Sequence, residues 1–337
     1  MARAVLIGGT GQIGRAAARA LASVGWDVVA VSRSGMLPPG LAELGVQAVA
    51  ADREDDAQLR AALGEGADVV VDTVAYTREH GEQLNGFAGS VGSLVVISSA
   101  SVYADDTGRT LDEAESVDTF PHLPLPIPET QRTTEPGDET YSTRKVALEQ
   151  TVLEGPLPST VVRPCAIHGP AARLPRELFF VKRALDGRRR VALASNGESR
   201  FHVTSTANLS ELIRLAVATP ADRILNCGDS DPPTTLEICH VVGAVLDHEF
   251  EPVLFPESSY ERAGIDNPWA VPLPFVVDMT AAESELGYRP VTTYPEAVRE
   301  TCTWLVGELE RGRSWEGTYL AAMLDYAAED EALGSRS

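Results

Sequence analysis

The stretch Ala4-Val5-Leu6-Ile7-Gly8-Gly9-Thr10-Gly11-Gln12-Ile13-Gly14 decides how the rest of the chain is read. A four-residue apolar run ends in a glycine-rich turn, and Arg15-Ala16-Ala17-Ala18-Arg19-Ala20-Leu21-Ala22 follows with a helix-forming composition. This is the order strand, turn, helix. A turn without bulky side chains lets backbone N–H groups and the positive end of a helix dipole approach a pyrophosphate. Glycine-rich turns also serve as plain connections, so context has to carry the argument. The second apolar run, Val28-Val29-Ala30-Val31, supplies the βαβ setting that a dinucleotide site requires.

Working outward, Val46 to Ala50, Val69 to Val71, Leu94 to Ile97 and Thr160 to Val162 read as buried strands, with helical stretches such as Asp56 to Leu63 between them. Strands alternating with helices predict an α/β fold with a parallel, doubly wound sheet and ligands at the strands' carboxyl ends. Residues 105–140 break the rhythm with five prolines, ten acids and two arginines. A loop of this length is either functional or disordered. Beyond Pro164 the pattern loosens, and a smaller, irregular domain begins. Asn208 to Thr219 reads as a helix and Arg223 to Asn226 as a strand returning to the first domain. The expected division is therefore discontinuous: 1–165 with about 203–228 as the dinucleotide domain, about 166–202 with 229–315 as the substrate domain, and 316–337 as a tail with frayed last residues.

The chain has 337 residues, 28 basic and 49 acidic, for a net charge of -21. That balance opposes a nucleic-acid partner, and Arg188-Arg189-Arg190 reads as a solvated turn. No apolar run approaches the ~20 residues that span a bilayer, and the N-terminal run is too short for a secretory signal, so the expected location is the cytoplasm. Cys165, Cys227, Cys239 and Cys302 lack metal-ligand spacing and read as free thiols, with no metal site implied.

The chemistry centres on Tyr141-Ser142-Thr143-Arg144-Lys145, which on a helix places Tyr141 and Lys145 one turn apart on one face. With only two lysines in the chain, a chance Tyr-x-x-x-Lys is rare. An ammonium ~4 Å from a phenol stabilises the phenolate by about 4 kcal/mol at an effective dielectric near ~20, or roughly three pKa units. Such a shift brings a tyrosine from ~10 to ~7, where a general acid or base works well. Val95-Val96-Ile97 ends in Ser98-Ser99-Ala100-Ser101-Val102-Tyr103, so Ser99 is placed to hydrogen-bond a substrate oxygen. Tyr103 is a nearby alternative proton donor without a lysine partner.

Together these residues resemble the extended short-chain dehydrogenase/reductases, the group of NAD-dependent epimerases, dehydratases and ketoreductases, over roughly residues 3 to 306. Gly8, Gly11 and Gly14 match the family's Gly-x-x-Gly-x-x-Gly, Ser99 its catalytic Ser/Thr, and Tyr141 with Lys145 its Tyr-x-x-x-Lys. Arg163-Pro164-Cys165-Ala166-Ile167-His168-Gly169-Pro170 is similar to the segment leading into the substrate domain, with His168 where the family has tyrosine. Leu286-Gly287-Tyr288-Arg289-Pro290 is similar to a late turn of the family. The resemblance implies a Rossmann domain, catalytic roles for Ser99, Tyr141 and Lys145, and cofactor contacts from Gly8, Thr10, Gly11, Gln12, Ile13, Gly14 and Pro164. It also implies adenine contacts from Asp52 and Arg53, a nicotinamide wall of Val74 and Ala75 unless these are plain core, and Lys145 on the nicotinamide ribose. A homodimer through the helix from Tyr141 to Leu153 is common in the family, although Val146, Leu148 and Val152 read equally well as core.

NAD enzymes place an acid about 20 residues past the glycines. Here the residues are Ser32-Arg33-Ser34, a guanidinium suited to a phosphate, so NADP(H) is favoured over NAD(H). Sugar dehydratases of the family follow the catalytic Thr with Asp-Glu, where this chain has Ala100 and Ser101, which argues against dehydration. The segment Arg200 to Asn208 departs from the nucleotide-sugar pattern and puts a diphosphate-sugar in doubt, while Arg173, Arg176, Lys182 and Arg200 remain candidates for a phosphate clamp. Three readings follow: an NADPH-dependent reductase or dehydrogenase acting on a small polar, sugar-like or natural-product substrate, a nucleotide-sugar 4-epimerase retaining NAD, and, remotely, a non-catalytic NADP-binding or RNA-binding protein.

Overall fold

The computed structural model describes residues 2–335. β1 (Arg3–Ile7) leads through the glycine turn into α1 (Gln12–Ser23), and β2 (Asp27–Ser32), β3 (Gln47–Ala50), α2 (Asp56–Leu63), β4 (Val69–Asp72), α3 (Arg78–Asn85), β5 (Leu94–Ile97), α4 (Tyr141–Leu153) and β6 (Ser159–Pro164) follow. The chain then leaves through β7 (Ala166–His168), α5 (Leu178–Leu185), β8 (Arg190–Leu193) and β9 (Val203–Ser205), and comes back with α6 (Thr206–Ala218) and β10 (Arg223–Cys227). The central sheet has seven strands in the order β10-β6-β5-β4-β1-β2-β3, all parallel. The order reverses between β1 and β4, so a crevice opens at their carboxyl ends.

Alternation along the strands divides the core. Ala4 and Leu6 pack with Ala17 and Leu21 of α1 and Leu209, Leu212 and Ile213 of α6 on one face. Val5 and Ile7 pack with Leu59 of α2, Leu84 of α3, and Leu148 and Val152 of α4 on the other. Val146, Leu148 and Val152 are therefore core residues, not a dimer surface.

The smaller lobe adds α7 (Thr235–Val245), β11 (Glu251–Leu254), α8 (Thr280–Leu286), α9 (Tyr294–Glu310), α10 (Tyr319–Ala322) and α11 (Tyr326–Gly334). β8 pairs with β11 and β7 with β9, each in parallel. Its core joins Phe179, Phe180 and Val181 of α5 to Ile238 and Val242 of α7 and Val298, Cys302 and Leu305 of α9. Residues 316–335, read as a tail, instead form α10 and α11. Buried Glu329 accepts from Arg183 on α5 at 3.2 Å, and Tyr326 donates to Asp186 at 2.7 Å. Arg336 and Ser337, expected to fray, lie outside the described residues.

The triplet 188–190 is not a free basic turn either. Arg188 pairs with Glu329 and Asp330, Arg189 with Glu249 and Glu251, and Arg190 donates to the Leu333 carbonyl at 3.5 Å. All four cysteines are free, and Cys227, Cys239 and Cys302 are buried. Among the described residues no helix is long and apolar enough to cross a membrane, and no cluster of ligands would hold a metal ion.

Candidate functional site

The glycine turn is tied to the sheet. Gly8 N–H donates to the Val31 carbonyl at 3.0 Å, and Gly11 N–H to the Gly8 carbonyl at 2.9 Å. At Gly8 the backbone has φ +77°, and a Cβ would lie 2.5 Å from Thr73 Oγ1; at Gly14 a Cβ would lie 2.2 Å from the Gly8 carbonyl oxygen. Both positions need glycine, one for its backbone and the other for the approach of helix to turn. Gly11 caps α1 without any side-chain hydrogen bond, and no acid stands in the first turn. The helix's positive end is thus uncompensated and suited to an anion.

A cleft of about 490 Å³ opens over this turn. Gly8, Thr10 and Gly11 line it with Ser32, Arg33, Ser34, Asp52, Arg53 and Val74. Gln12 begins α1 and reaches the Gly169 carbonyl at 3.4 Å, and Ile13 packs against the core. The wall has the size and donors that a dinucleotide needs, so the residues present fit that group. Arg33 is exposed and has no hydrogen-bond or ion-pair partner among the described residues. Arg53 behaves differently from the expected adenine contact: its guanidinium turns inward to Asp72 at 2.8 Å and to Gln83, leaving Asp52 at the rim. Val74, 46 % exposed, is a wall residue and not core, whereas Ala75 is buried. Pro164 ends β6 in register with Cys227 and is not on the cleft wall.

Ser99, Tyr141 and Lys145 come together at the carboxyl end of β5. The Ser99 hydroxyl faces the Tyr141 phenol and pulls its titration down. Lys145 Nζ donates to the carbonyls of Ala75 at 2.7 Å and Ile97 at 2.9 Å, and stands 5.8 Å from the Tyr141 ring centroid. Burial pushes the lysine down to about 8, against the pull of the Asp72 and Glu149 carboxylates. The expected depression of the tyrosine does not occur in this state. Desolvation raises Tyr141 above its ordinary value, opposed by the Ser99 side chain, and the Lys145 ammonium is directed at two backbone carbonyls. Tyr103 is no alternative: it is fully buried, donates to Asn226, and burial pushes it up to about 12.

A model described as the NAD dependent epimerase/dehydratase family matches residues 4–228. The chain belongs to the NAD-dependent epimerase/dehydratase family. Among solved structures, a Thermotoga maritima UDP-glucose 4-epimerase with UDP-glucose aligns at TM-score 0.67 and 17% identity, covering 91% of this chain and 99% of its own. The Bordetella bronchiseptica enzyme WbmG with NAD aligns at 0.66 and 17%, covering 90% and 94%. A Bifidobacterium longum UDP-glucose 4-epimerase with NAD+ and UDP aligns at 0.67 and 17%, covering 91% and 99%. At these identities the likeness is one of fold. A comparison with curated proteins finds no match.

Within this family member, several site residues escaped the sequence reading. Asp72 accepts from the N–H groups of Val74 at 2.9 Å and Ala75 at 2.7 Å, and so shapes the turn whose carbonyl holds Lys145. An acid closing the apolar run Val69 to Val71 was the available signal. The 105–140 loop is folded onto the site. Asp105 accepts from Thr107, Arg109 and His122, and these bonds outweigh its burial and hold it at about 2. Asp112 accepts from the Ser142 N–H at 2.9 Å, and the Ser142 hydroxyl bonds Ser101, whose N–H donates to Ser99 Oγ at 3.2 Å. A chain of hydrogen bonds thus runs from the loop to Ser99. His168, where the family has tyrosine, is buried against Asp229 at 2.8 Å.

Proposed function

We propose that the chain is an NAD(P)-dependent oxidoreductase that moves a hydride between the nicotinamide and a carbonyl or hydroxyl carbon of a small polar substrate, with NADPH-dependent reduction the favoured direction. The observation that carries this reading is the juxtaposition of Ser99 and Tyr141 at the end of β5 beside the buried Lys145, whose Nζ stands 5.8 Å from the Tyr141 ring centroid. When bound, the dinucleotide supplies or accepts the hydride. Tyr141 gives its phenolic proton to the substrate oxygen in reduction and takes it back in oxidation, and Ser99 orients that oxygen by a hydrogen bond. Lys145 has two of its three N–H donors on carbonyls, which leaves the third for a ribose hydroxyl. Arg33, without a partner on the cleft wall, supports NADP(H) over NAD(H).

Epimerisation is the second reading, favoured by the structural neighbours that are UDP-glucose 4-epimerases. Both readings need the same proton donor, and they part on the fate of the cofactor. Tyr141→Phe is expected to lower turnover by about 10² to 10⁴ while NADPH still binds, and wild-type turnover in that variant overturns the scheme. Stoichiometric loss of nicotinamide absorbance supports reduction. Conversion of substrate with the cofactor retained and no net change supports epimerisation.

A further inference from the structure

We infer that Tyr76 is a positioning residue for the proton donor: its ring lies beside the Tyr141 ring, sets the direction of that phenol and covers one side of it. The inference deepens the hydride-transfer reading above and rests on it for the role of Tyr141.

Tyr76 stands in the turn between β4 and α3 and faces the start of α4. Tyr141, Arg144 and Lys145, at i, i+3 and i+4, share one face of that helix, and all three lie beside the same ring. The Tyr76 and Tyr141 centroids are 5.4 Å apart, with their planes tilted by 36°. Lys145 Nζ stands 5.8 Å from each centroid, and the Arg144 guanidinium 5.6 Å from that of Tyr76. Ring pairs and ring–cation pairs at such separations attract. Tyr141 is 44 % exposed, so a neighbour on one side decides how freely its ring turns.

The Tyr76 ring is itself held. Asp72 accepts from the N–H groups of Val74 and Ala75, the Ala75 carbonyl accepts from Lys145, and Tyr76 N–H donates to His80 Nδ1 at 2.9 Å. Across the ring, Arg144 Nε donates to the Asp138 carbonyl at 2.7 Å. A fixed ring imposes a direction on its neighbour that a mobile one cannot. The Tyr76 phenol makes no hydrogen bond among the described residues. Tyr76 is on the wall of neither the dinucleotide cleft nor a second cavity, of about 490 Å³, between the 105–140 loop and the second lobe. Its contacts are those of its ring, and its effect on the reaction passes through Tyr141.

Few groups face the Tyr141 phenol. Burial raises its titration, the Ser99 side chain lowers it, Tyr76 and then the Asp112 carboxylate raise it, and the Lys145 ammonium stands beside the ring. Removing the Tyr76 ring admits water to the side it covers, which uncovers the phenol and favours its ionised form.

The test is nitration of the full chain by tetranitromethane at pH 8, read tyrosine by tyrosine by peptide mass spectrometry, with Tyr319, equally exposed at 44 %, as the internal reference. In Tyr76→Leu, nitration of Tyr141 is expected to be about 3- to 10-fold faster than in wild type, with Tyr319 unchanged. Tyr76→Phe, which keeps the ring, should recover most of the difference, and NADPH affinity should be unchanged in both variants. Equal nitration of Tyr141 in wild type and Tyr76→Leu, a rate in Tyr76→Phe as high as in Tyr76→Leu, acceleration of Tyr319 to the same extent, or loss of NADPH binding overturns the inference. Nitration is read without substrate, whereas the hydride-transfer scheme stands on turnover in Tyr141→Phe, so the two failures are separable.

Discussion

The dinucleotide cleft and the cavity under the 105–140 loop are built from different materials. The first is made mostly of backbone: a glycine turn, a helix end and the ends of three parallel strands. The second is made of side chains brought from distant stretches, Leu111 and Phe120 meeting Arg176, Phe201, Tyr260 and Asn267. The difference teaches where each tolerates change. A backbone site fails when a Cβ intrudes and is indifferent to most side-chain swaps, whereas a side-chain site is altered one residue at a time while the fold persists.

The sharpest way to break this contrast is Gly14→Val. Its Cβ would lie 2.2 Å from the Gly8 carbonyl oxygen, which cannot give way without moving the turn. Dinucleotide binding should disappear from a fluorescence titration, and stability should fall by about 1–3 kcal/mol in a denaturant melt. Retained binding would show that the turn is more pliable than its contacts indicate. Next in size, Arg33→Ala should weaken NADPH by roughly 10- to 100-fold and NADH little, since only the former carries the phosphate. Equal losses for both would refute the NADP assignment.

A pH series sharpens the same cleft. Lys145 is lowered to about 8 from an ordinary 10.5, so the ammonium in the free protein loses its proton as pH rises through about 8. Cofactor affinity should decline above that point, and Lys145→Arg should flatten the profile. The sign for stability is opposite: the folded value lies below the unfolded one, so the penalty for burying this charge is largest below about 8 and is relieved toward 10.5. Smallest in effect is Asp105→Asn, which removes the charge and replaces the oxygen that accepts from His122 with a donor, while Oδ1 can still accept from Thr107 and Arg109. Its carboxylate adds stability in full above an ordinary 3.8 and loses it as pH falls toward 2. The substitution should cost about 1–3 kcal/mol locally, seen as faster amide exchange in residues 105–122 with β1 to β4 unchanged.

What the sequence disclosed follows the same division. The glycine turn and the Tyr141–Lys145 spacing are local patterns, and the parallel sheet follows from alternating runs, so each was legible. The titration of Tyr141 was not, because the carbonyls that take up the Lys145 ammonium belong to Ala75 and Ile97, 70 and 48 residues away. The inward turn of Arg53 was illegible for a related reason. Asp72, which draws it inward, is an unremarked acid until the turn after β3 reaches across the sheet's carboxyl edge to the end of β4. In α11 an acidic composition concealed Glu329, which is buried only because Arg183 and Arg188 meet it.

The hydrogen-bonded pegs of the 105–140 loop also have an evolutionary consequence. Asp105 gathers the first turn, Asp112 is fixed to Ser142, and the Gln131 side chain and Thr134 N–H return to the Ala104 and Val102 carbonyls. Insertions or deletions within 113–121 are expected to change the contour of the opening without shifting Ser99 or Tyr141, whereas 135–139 is itself tied to α4 by the Gly137 N–H on the Thr143 carbonyl and by Arg144 on the Asp138 carbonyl. A change of length within 113–121 is therefore expected to refit the opening while the reaction core stays in place.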